Sequence, residues 1–186
     1  MKTVAPVFNR KGYSGTSMSD ITKATGLTKG AIYGNFENKN ELAVMAFVYN
    51  IKFVLSKIEK VISSESSSIG KLNAISSFYR NYYQFTYNFG GCPLLNVGID
   101  SNHQNPELLK KVNKAIRNIQ NNIANIIQTG ISDGTIKNSV DPQTYARKIF
   151  IVIEGAVFMS MTTRDEQYMA DMADTLNEII NKELEI

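Results

Sequence analysis

The feature that most constrains the fold is a helix stop followed directly by a helix start at Gly26-Leu27-Thr28. Glycine adopts the left-handed conformation of a helix C-terminus without steric cost, so Gly26 predicts the end of one helix. Thr28 predicts the N-cap of the next helix, because its hydroxyl can accept a hydrogen bond from an unpaired backbone N–H group. The sequence therefore predicts two short helices joined by a sharp turn.

The first of these helices is expected to begin at Ser17. Asp20 follows three residues later, which is the spacing of a reciprocal cap between a hydroxyl and an acidic side chain. Ile21 and Ala24 lie one turn apart, and we expect both to be buried while Lys23 is exposed.

The second helix, predicted over residues 29–35, is unusual because it contains Gly30 and Gly34. Each glycine costs about 1 kcal/mol relative to alanine in a helix interior. Their spacing of four places them on one face, whereas Ile32 and Phe36 point toward a core. A helix with one apolar face and one bare face suits close approach to a large partner, and the DNA major groove admits such a helix.

The distribution of charge favours a polyanionic partner. The whole chain of 186 residues has a net charge of +3. Residues 1–40 hold six Lys or Arg against two acidic residues, which gives +4, and the remainder of the chain carries −1. A net excess of positive charge confined to one region is typical of a nucleic-acid-binding surface.

A longer run of residues surrounds the two helices. It comprises Gly12-Tyr13, Gly15-Thr16-Ser17, Asp20-Ile21, Gly26 to Gly30, Ile32-Tyr33, Phe36, and Lys39 with Leu42. In this order and spacing the run resembles the TetR family of bacterial transcription regulators, over about a quarter of the chain. The resemblance implies an all-α protein with a three-helix head containing a helix-turn-helix, residues 1–44. It also implies a larger helical effector-binding and dimerisation domain, residues 45–186.

The start of the chain departs from the family pattern. The basic arm and opening turn typical of the family are missing, which leaves open a truncated chain or a start further upstream. Residues 1–11 should form the helix that braces the head, with Val4, Val7 and Phe8 inward. Pro6 would disrupt a helix interior, so this helix either begins near Ala5 with Pro6 in its first turn or is kinked.

The resemblance assigns roles in DNA binding to individual residues. We expect phosphate contacts from Thr16 and Ser17 at one helix start and from Lys39 at another, where backbone N–H groups and the helix dipole favour anions. Tyr33 is also expected to contact a phosphate. Contacts in the groove are expected from Thr28, Lys29, Gly30, Ala31 and Asn35, with Gly34 completing the bare face. Lys29 could reach guanine acceptors or could be a solvated surface lysine.

Helical periodicity continues through the rest of the chain. Asn38 caps a long helix that runs to about Ile62 and would connect the head to the body, before a polar break at residues 63–68. An aromatic-rich helix is predicted over residues 69–87, and Pro93 opens a short one to Asp100. Three further helices are predicted: a long amphipathic one from residue 105 to 130–134, an apolar one capped by Asp141, and a last one after Arg164.

Tyrosine is frequent in the aromatic helix, and buried tyrosine hydroxyls need hydrogen-bond partners. We therefore expect a cavity for a small-molecule effector, although aromatics at this spacing are also typical of an ordinary core. Glu154 interrupts the apolar helix and is interpreted as an internally paired or effector-binding acid, with an exposed edge as the alternative. The candidate ligand-binding residues are Tyr79, Tyr82, Tyr83, Phe89, Cys92, Asn96, Glu154 and Phe158.

The apolar helix and the last helix are expected to pair with those of a second copy in a four-helix bundle. The apolar helix should be buried all round, in a core or between subunits. The candidate dimer residues are Ile153, Val157, Met161, Tyr168, Met172 and Leu176. Such a homodimer would present both heads to successive major grooves, so the resemblance implies double-stranded DNA with a palindromic operator as the partner.

Other functions find little support in the sequence. Cys92 is alone, which suits a reducing cytoplasm, and is interpreted as a buried hydrophobe rather than a redox sensor. His103 has no clustered ligands, so we expect no metal site, no cofactor and no catalytic constellation. No apolar run is long enough to span a bilayer. The remaining alternative is a helical small-molecule-binding protein whose head serves protein contacts.

Overall fold

A computed structural model of the chain describes residues 1–102 and 104–186, with only the backbone of Asn88. The described residues form ten α-helices and a π-helical turn at Ile179–Leu184. The helices are α1 (Ala5–Lys11), α2 (Met18–Thr25), α3 (Lys29–Tyr33), α4 (Lys39–Ser63), α5 (Ser68–Arg80), α6 (Tyr82–Phe89), α7 (Pro93–Ser101), α8 (Pro106–Ser132), α9 (Pro142–Thr163) and α10 (Gln167–Glu178). The predicted all-α class is confirmed, and the described part of the chain contains a single isolated bridge, Ile136 to Glu185, but no strand.

The chain folds into two compact units. The first contains Met1–Val54 and Thr86–Ile116, and the second contains Leu55–Phe85 and Arg117–Ile186. The predicted domain boundary between residues 44 and 45 falls inside α4, which contributes residues to both units.

In the first unit, α1 begins at Ala5 and places Pro6 in its first turn. This is the first of the two predicted alternatives, and it is favourable because proline at the start of a helix removes no intrahelical hydrogen bond. Val4 and Phe8 are buried as predicted, whereas Val7 is half-buried. Helix α1 packs against α2 and α7.

The head is completed by α2, α3 and the start of α4. Ile21 and Ile32 are buried, together with Leu42 and Phe47 of α4. Burying each of these side chains contributes about 1.5–3 kcal/mol. Ala24 is exposed, so its predicted burial is wrong: Ile21 alone on α2 supplies the buried contact.

The aromatic helix predicted over residues 69–87 is two helices, α5 and α6, separated at Asn81. The Asn81 side chain donates to the Ser77 carbonyl at 3.2 Å, and its backbone N–H bonds to the carbonyls of Phe78 and Tyr79. Asparagine often interrupts helices because its amide competes for backbone hydrogen bonds.

In the second unit, α10 packs against α5 and α9. Asp141 caps α9 by accepting a hydrogen bond from the Thr144 N–H at 2.7 Å, and Arg164 ends that helix in the left-handed conformation, with φ of 61°. The side chains between these helices form the core, among them Leu72, Ile75, Ile149, Ile153, Val157, Met169, Met172 and Leu176. Among the described residues, no helix is both long and apolar enough to cross a membrane.

Candidate nucleic-acid interface and ligand cavity

Capping residues define both ends of α2 and the start of α3. The Ser17 hydroxyl accepts from the Asp20 N–H at 3.1 Å, and the Asp20 carboxylate accepts from the Ser17 N–H at 2.9 Å. Lys11 also contacts Asp20, at 2.5 Å, so hydrogen bonds from Lys11 and then Ser17 hold the pKa of Asp20 far below its ordinary 3.8. Gly26 ends α2 with φ of 70°, and the Thr28 hydroxyl accepts from the Ala31 N–H at 3.2 Å. These caps fix the direction of α3.

One face of α3 is bare and exposed. Gly30 and Gly34 lie at the surface, as do Lys29, Ala31 and Asn35. A Cβ added at Gly30 would meet only the Thr28 hydroxyl, at 4.0 Å, and one at Gly34 would make ordinary contacts from 3.5 Å. The packing of the chain therefore does not require glycine at either position, and the bare face is available to an external partner.

Two lysines, one on α3 and one on α4, lie close to aromatic rings. Lys29 Nζ lies 5.9 Å from the ring centroid of Tyr33, which is 40% exposed. Lys39, in the first turn of α4, places its Nζ 4.5 Å from the ring centroid of Tyr13. The Tyr13 hydroxyl hydrogen-bonds to Asn40. This arrangement can offer positive charge and donors to phosphates beside a helix that enters a groove.

Two of the predicted phosphate-binding side chains are engaged within the chain. Thr16 is 1% exposed and its hydroxyl donates to the Gly12 carbonyl at 2.6 Å. Ser17 is exposed, but its backbone N–H and its hydroxyl both bond to Asp20. The carboxylate of Asp20 thus occupies the position at the start of α2 that we assigned to a phosphate. Asn35 donates to the Ala31 carbonyl at 3.0 Å while remaining on the exposed face.

Helix α1 is tied to the loop between α6 and α7 by two asparagines. The Asn9 amide donates to the carbonyls of Phe89 and Gly91, at 3.0 and 2.8 Å. The Asn96 amide donates back to the carbonyls of Asn9 and Gly90, both at 2.8 Å. We name these four hydrogen bonds the asparagine clamp. Sequence reasoning did not predict this role for either asparagine, because the local sequence does not specify which backbone carbonyls their amides reach.

A second tie joins the α1–α2 turn to the end of α7. The Ser14 N–H donates to Asp100 Oδ2 at 2.9 Å, and the Ser14 hydroxyl donates to Gln104 Oε1 at 2.7 Å. Within the first unit, the segment that leads into α2 is therefore held by side chains that lie far along the sequence.

The second unit contains a mainly apolar cavity of about 400 Å³. Its walls come from α4, α5, α8 and α9, and its apolar lining residues include Leu55, Ile58, Ile62, Ile75, Ile119, Ile123, Ile126, Phe150 and Ile153. Its polar lining residues are Glu59, Ser63, Tyr79, Asn122 and Asn125. This volume falls within the range of small-molecule sites, about 300–1,000 Å³.

Of the eight predicted ligand-binding residues, Tyr79 lines this cavity. Tyr82 is buried, and its ring lies 4.9 Å from that of Tyr79, centroid to centroid. Tyr83 is half-buried at a surface hollow with Arg80 and Glu166. Phe89, Cys92 and Asn96 belong to the first unit, where Phe89 stacks on Phe53 at 5.3 Å and Cys92 is buried at the start of α7. Phe158 is 47% exposed.

The lining residues that we did not predict follow a pattern in the sequence. Glu59 stands one turn from Leu55, and Asn122 and Asn125 alternate with isoleucines along α8 at spacings of three and four. Polar residues set at the border of an apolar helical stripe were the available signal. Of the tyrosines in the aromatic segment that we predicted as ligand-binding, Tyr79 lines the cavity.

Glu154 lies on α9 as a half-buried residue whose Oε2 is inaccessible to solvent. That atom has no hydrogen-bond partner among the described residues, and burial raises the pKa of the carboxyl to about 7. Glu154 is not one of the residues that line the cavity, and no internal pairing of the predicted kind is seen in the described part of the chain.

The predicted dimer residues divide by exposure. Ile153, Val157, Met172 and Leu176 are buried within the single chain, whereas Met161 and Tyr168 are half-buried. A different stripe of α9 is exposed: Ile151 at 67%, Phe158 at 47%, and Gly155 between them, where an added Cβ would meet nothing within 4 Å. We name Ile151, Gly155 and Phe158 the outer stripe. In the single chain, therefore, α9 is not buried on every side.

No group of three or more His, Cys, Asp or Glu side chains able to hold a metal ion occurs among the residues that the structure describes. His103, the only histidine of the sequence, lies outside them.

Two family profiles match the chain. The family described as "Bacterial regulatory proteins, tetR family" matches residues 5–45, and the one described as "Tetracyclin repressor-like, C-terminal domain" matches residues 68–176. Together these matches cover the bare face of α3 and most of the second unit.

Known proteins of similar sequence and structure agree with these matches. A TetR-family transcriptional regulator from Cytophaga hutchinsonii is 35% identical, with a TM-score of 0.93 and coverage of 100% of this chain and 92% of that one. A TetR transcriptional regulator from Chloroflexus aurantiacus J-10-FL is 33% identical, with a TM-score of 0.94 and coverage of 99% and 93%. The fatty acid metabolism regulator protein of Bacillus subtilis (strain 168) is 24% identical over 162 residues, 87% of this chain and 81% of that relative.

Proposed function

The chain belongs to the TetR family of bacterial transcriptional regulators, and we propose that it is a repressor that binds a palindromic operator as a homodimer and is released by a small-molecule effector. The observation that carries this proposal is the exposed, bare face of α3, a helix that also carries exposed Lys29 and Tyr33 and is followed by Lys39 in the first turn of α4. Packing within the chain does not require glycine on this face. Without side chains there, the helix backbone can approach base edges closely.

In the proposed complex, α3 lies in the major groove and α4 begins at the adjacent phosphate backbone. Lys29 and Asn35 reach base edges, since each projects from the exposed face. Lys39 contacts phosphate, where its charge and the N-terminal end of α4 act together. Tyr33 lies beside Lys29 and provides a hydroxyl to the same strand.

The outer stripe supports a homodimer. Ile151, Gly155 and Phe158 lie at spacings of four and three, so they form one face of α9. Exposed apolar side chains in a row are costly in water, and a second copy of the same helix would cover them symmetrically. We therefore place the contact between copies on the outer stripe, with Met161 and Tyr168 at its edge, and leave the four buried residues in the core.

The proposed release by effector depends on α4. The last turns of this helix line the cavity through Leu55, Ile58, Glu59, Ile62 and Ser63, and its first turn carries Lys39. A ligand that binds one position of α4 better than another would favour the corresponding conformation of the dimer, to the extent of that difference in affinity. Release follows if the favoured conformation has a spacing of recognition helices other than about 34–36 Å.

The test is selection of double-stranded DNA from a randomised library by the purified chain. We expect recovered sites with two inverted halves, and we expect Lys29→Gln to change the base preference at one position of each half. Recovery of sites without symmetry would contradict the dimeric operator. Failure to retain any duplex at low salt would contradict DNA binding and favour a helical binding protein whose head contacts other proteins.

A further inference from the structure

The cavity of the second unit has a polarity that restricts what it can bind. Its floor and walls are apolar, and Tyr79 and Phe150 add two aromatic rings. Its polar residues include one charged side chain, the Glu59 carboxylate, and the amides of Asn122 and Asn125. Lysine and arginine are absent from the lining residues that the structure describes.

From this arrangement we infer that the effector is an apolar organic cation: a compact hydrophobic body that carries an amine or quaternary ammonium head. The inference rests on the proposed function, because it takes this cavity as the effector site. The apolar body would replace water along Ile58, Ile123 and Ile126, and each buried methylene contributes about 0.8 kcal/mol.

The head group would lie where the polar side chains are. Glu59, Asn122 and Asn125 are exposed, so they border the opening of the cavity rather than its floor. A cation there is attracted by the Glu59 carboxylate. The amide oxygens of the asparagines can accept hydrogen bonds from an amine.

An anionic head meets the opposite conditions. A carboxylate or phosphate at the opening would face Glu59 with no lining cation to balance it, and like charges within a few ångströms repel. Moving the anion inward is also unfavourable, because an unpaired charge in an apolar cavity loses its hydration. Fatty acids and acyl phosphates of matching length should therefore bind less tightly than the corresponding amines.

The test compares three ligands with the same ten-carbon chain: decyltrimethylammonium, decanol and decanoate. Binding to the full chain is measured by titration calorimetry at pH 7.5, below the micelle concentrations of the two ionic ligands and below the solubility limit of decanol. We expect the cation to bind most tightly and decanoate to bind at least fivefold more weakly than the cation. Decanoate binding as tightly as the cation would overturn the inference.

A matched pair of variants assigns the preference to Glu59. Glu59→Gln should weaken binding of the cation by about two- to fivefold, as for an exposed ion pair, and leave decanol unchanged. Glu107→Gln removes an exposed acid that does not line the cavity and should change none of the three affinities. Equal loss of all three ligands in Glu59→Gln would overturn the role of charge.

A filling variant locates the ligand. Ile126→Trp places a larger side chain at a half-buried lining position and should weaken all three ligands at least tenfold. Leu55→Trp, at a half-buried lining position on α4, serves if the first variant does not fold. Unchanged binding in a folded filling variant would show that the ligand binds elsewhere.

A DNA-release arm separates this inference from the proposed function. The same three ligands are added to the complex of the chain with a selected duplex. Release in the order cation, decanol, decanoate is expected. If the ligands bind in that order but do not release the duplex, the proposed effector response fails while the ligand class stands. If the chain binds the duplex without ligand but the three ligands do not bind in that order, the ligand class fails while DNA binding stands.

Discussion

At the scale of single residues, Gly30 is the most informative position. Its surroundings leave room for a side chain, since a Cβ would meet only the Thr28 hydroxyl at 4.0 Å. Glycine in a helix reduces stability, by about 1 kcal/mol relative to alanine. A residue that weakens the fold without being required by it is expected where another molecule approaches closely.

Gly30→Leu should therefore preserve the fold and impair binding. We expect unfolding free energy in urea to be unchanged or raised by up to about 1 kcal/mol, because leucine is a good helix former. Affinity for a selected duplex should fall at least tenfold, as the side chain separates α3 from the groove. Asn121→Leu, an exposed position on α8, is the control and should bind as the parent does. Full affinity in a folded Gly30→Leu would exclude the bare face as the contact.

Glu154 gives a pH dependence with a definite sign. Burial raises the pKa of its carboxyl from 4.5 to about 7, so between these values the folded protein holds a proton that the unfolded chain has lost. Stability therefore declines as pH rises through this window, and above it a buried carboxylate is ionised at a cost of about 1–3 kcal/mol.

Glu154→Gln should remove this dependence, since the amide does not titrate. Urea unfolding at a series of pH values from 4.5 to 8 should show the variant equal to the parent at the acid end and more stable by about 1–3 kcal/mol at pH 8. Glu107→Gln, an exposed acid, should leave the profile unchanged. Parallel profiles for Glu154→Gln and the parent would mean that the carboxyl is already solvated in solution.

At the scale of secondary-structure elements, the local signals were reliable where one side chain decides the conformation. Ser17, Gly26 and Thr28 cap α2 and α3 as predicted, because capping depends only on residues three or four apart. The break between α5 and α6 was missed, because the aromatic periodicity continues through Asn81 while the asparagine amide interrupts the helix.

Pairing between distant elements could not be predicted in this way. The asparagine clamp joins α1 to the α6–α7 loop across about eighty positions, with 80 separating Asn9 from Phe89. Nothing in the local sequence identifies the backbone carbonyls that these two asparagines bind.

Asn96→Ala should measure how much the asparagine clamp contributes to folding stability. The variant loses both donated hydrogen bonds and leaves the Asn9 and Gly90 carbonyls without that donor, at a cost of about 1–3 kcal/mol. The unfolding free energy in urea is the measurement, and Asn113→Ala, an exposed asparagine of α8, is the control. Equal stability of Asn96→Ala and the control would contradict the structural role of the clamp.

At the scale of the whole molecule, α9 shows what sequence patterns leave undecided. The helix is apolar on most sides, so periodicity alone cannot say which stripe packs inside the chain and which faces outward. The predicted dimer residues Ile153 and Val157 pack inside, and the outer stripe remains exposed. The cavity was equally hidden, because its walls come from four helices and no one of them contains the site.

The outer stripe predicts how the molecule associates. Ile151→Glu places a charge on an exposed apolar face, where it would be buried without a partner in a dimer. Sedimentation equilibrium should show a dimer for the parent and at least tenfold weaker association for the variant, with no loss of stability of the monomer. Gln128→Glu, exposed on α8, is the control. A dimer of undiminished affinity in Ile151→Glu would place the interface elsewhere.

The most direct test of the central claim is the salt dependence of affinity for a selected duplex. If α3 and the start of α4 contact phosphates and bases, log K should fall linearly with log salt, with a slope set by the number of phosphates neutralised. Lys39→Ala should make that slope shallower by about 1 and weaken all sequences alike, whereas Lys60→Ala, an exposed lysine outside residues 1–40, should change neither. Affinity that does not vary with salt, or a slope unaltered by Lys39→Ala, would contradict a DNA-binding surface at the bare face of α3.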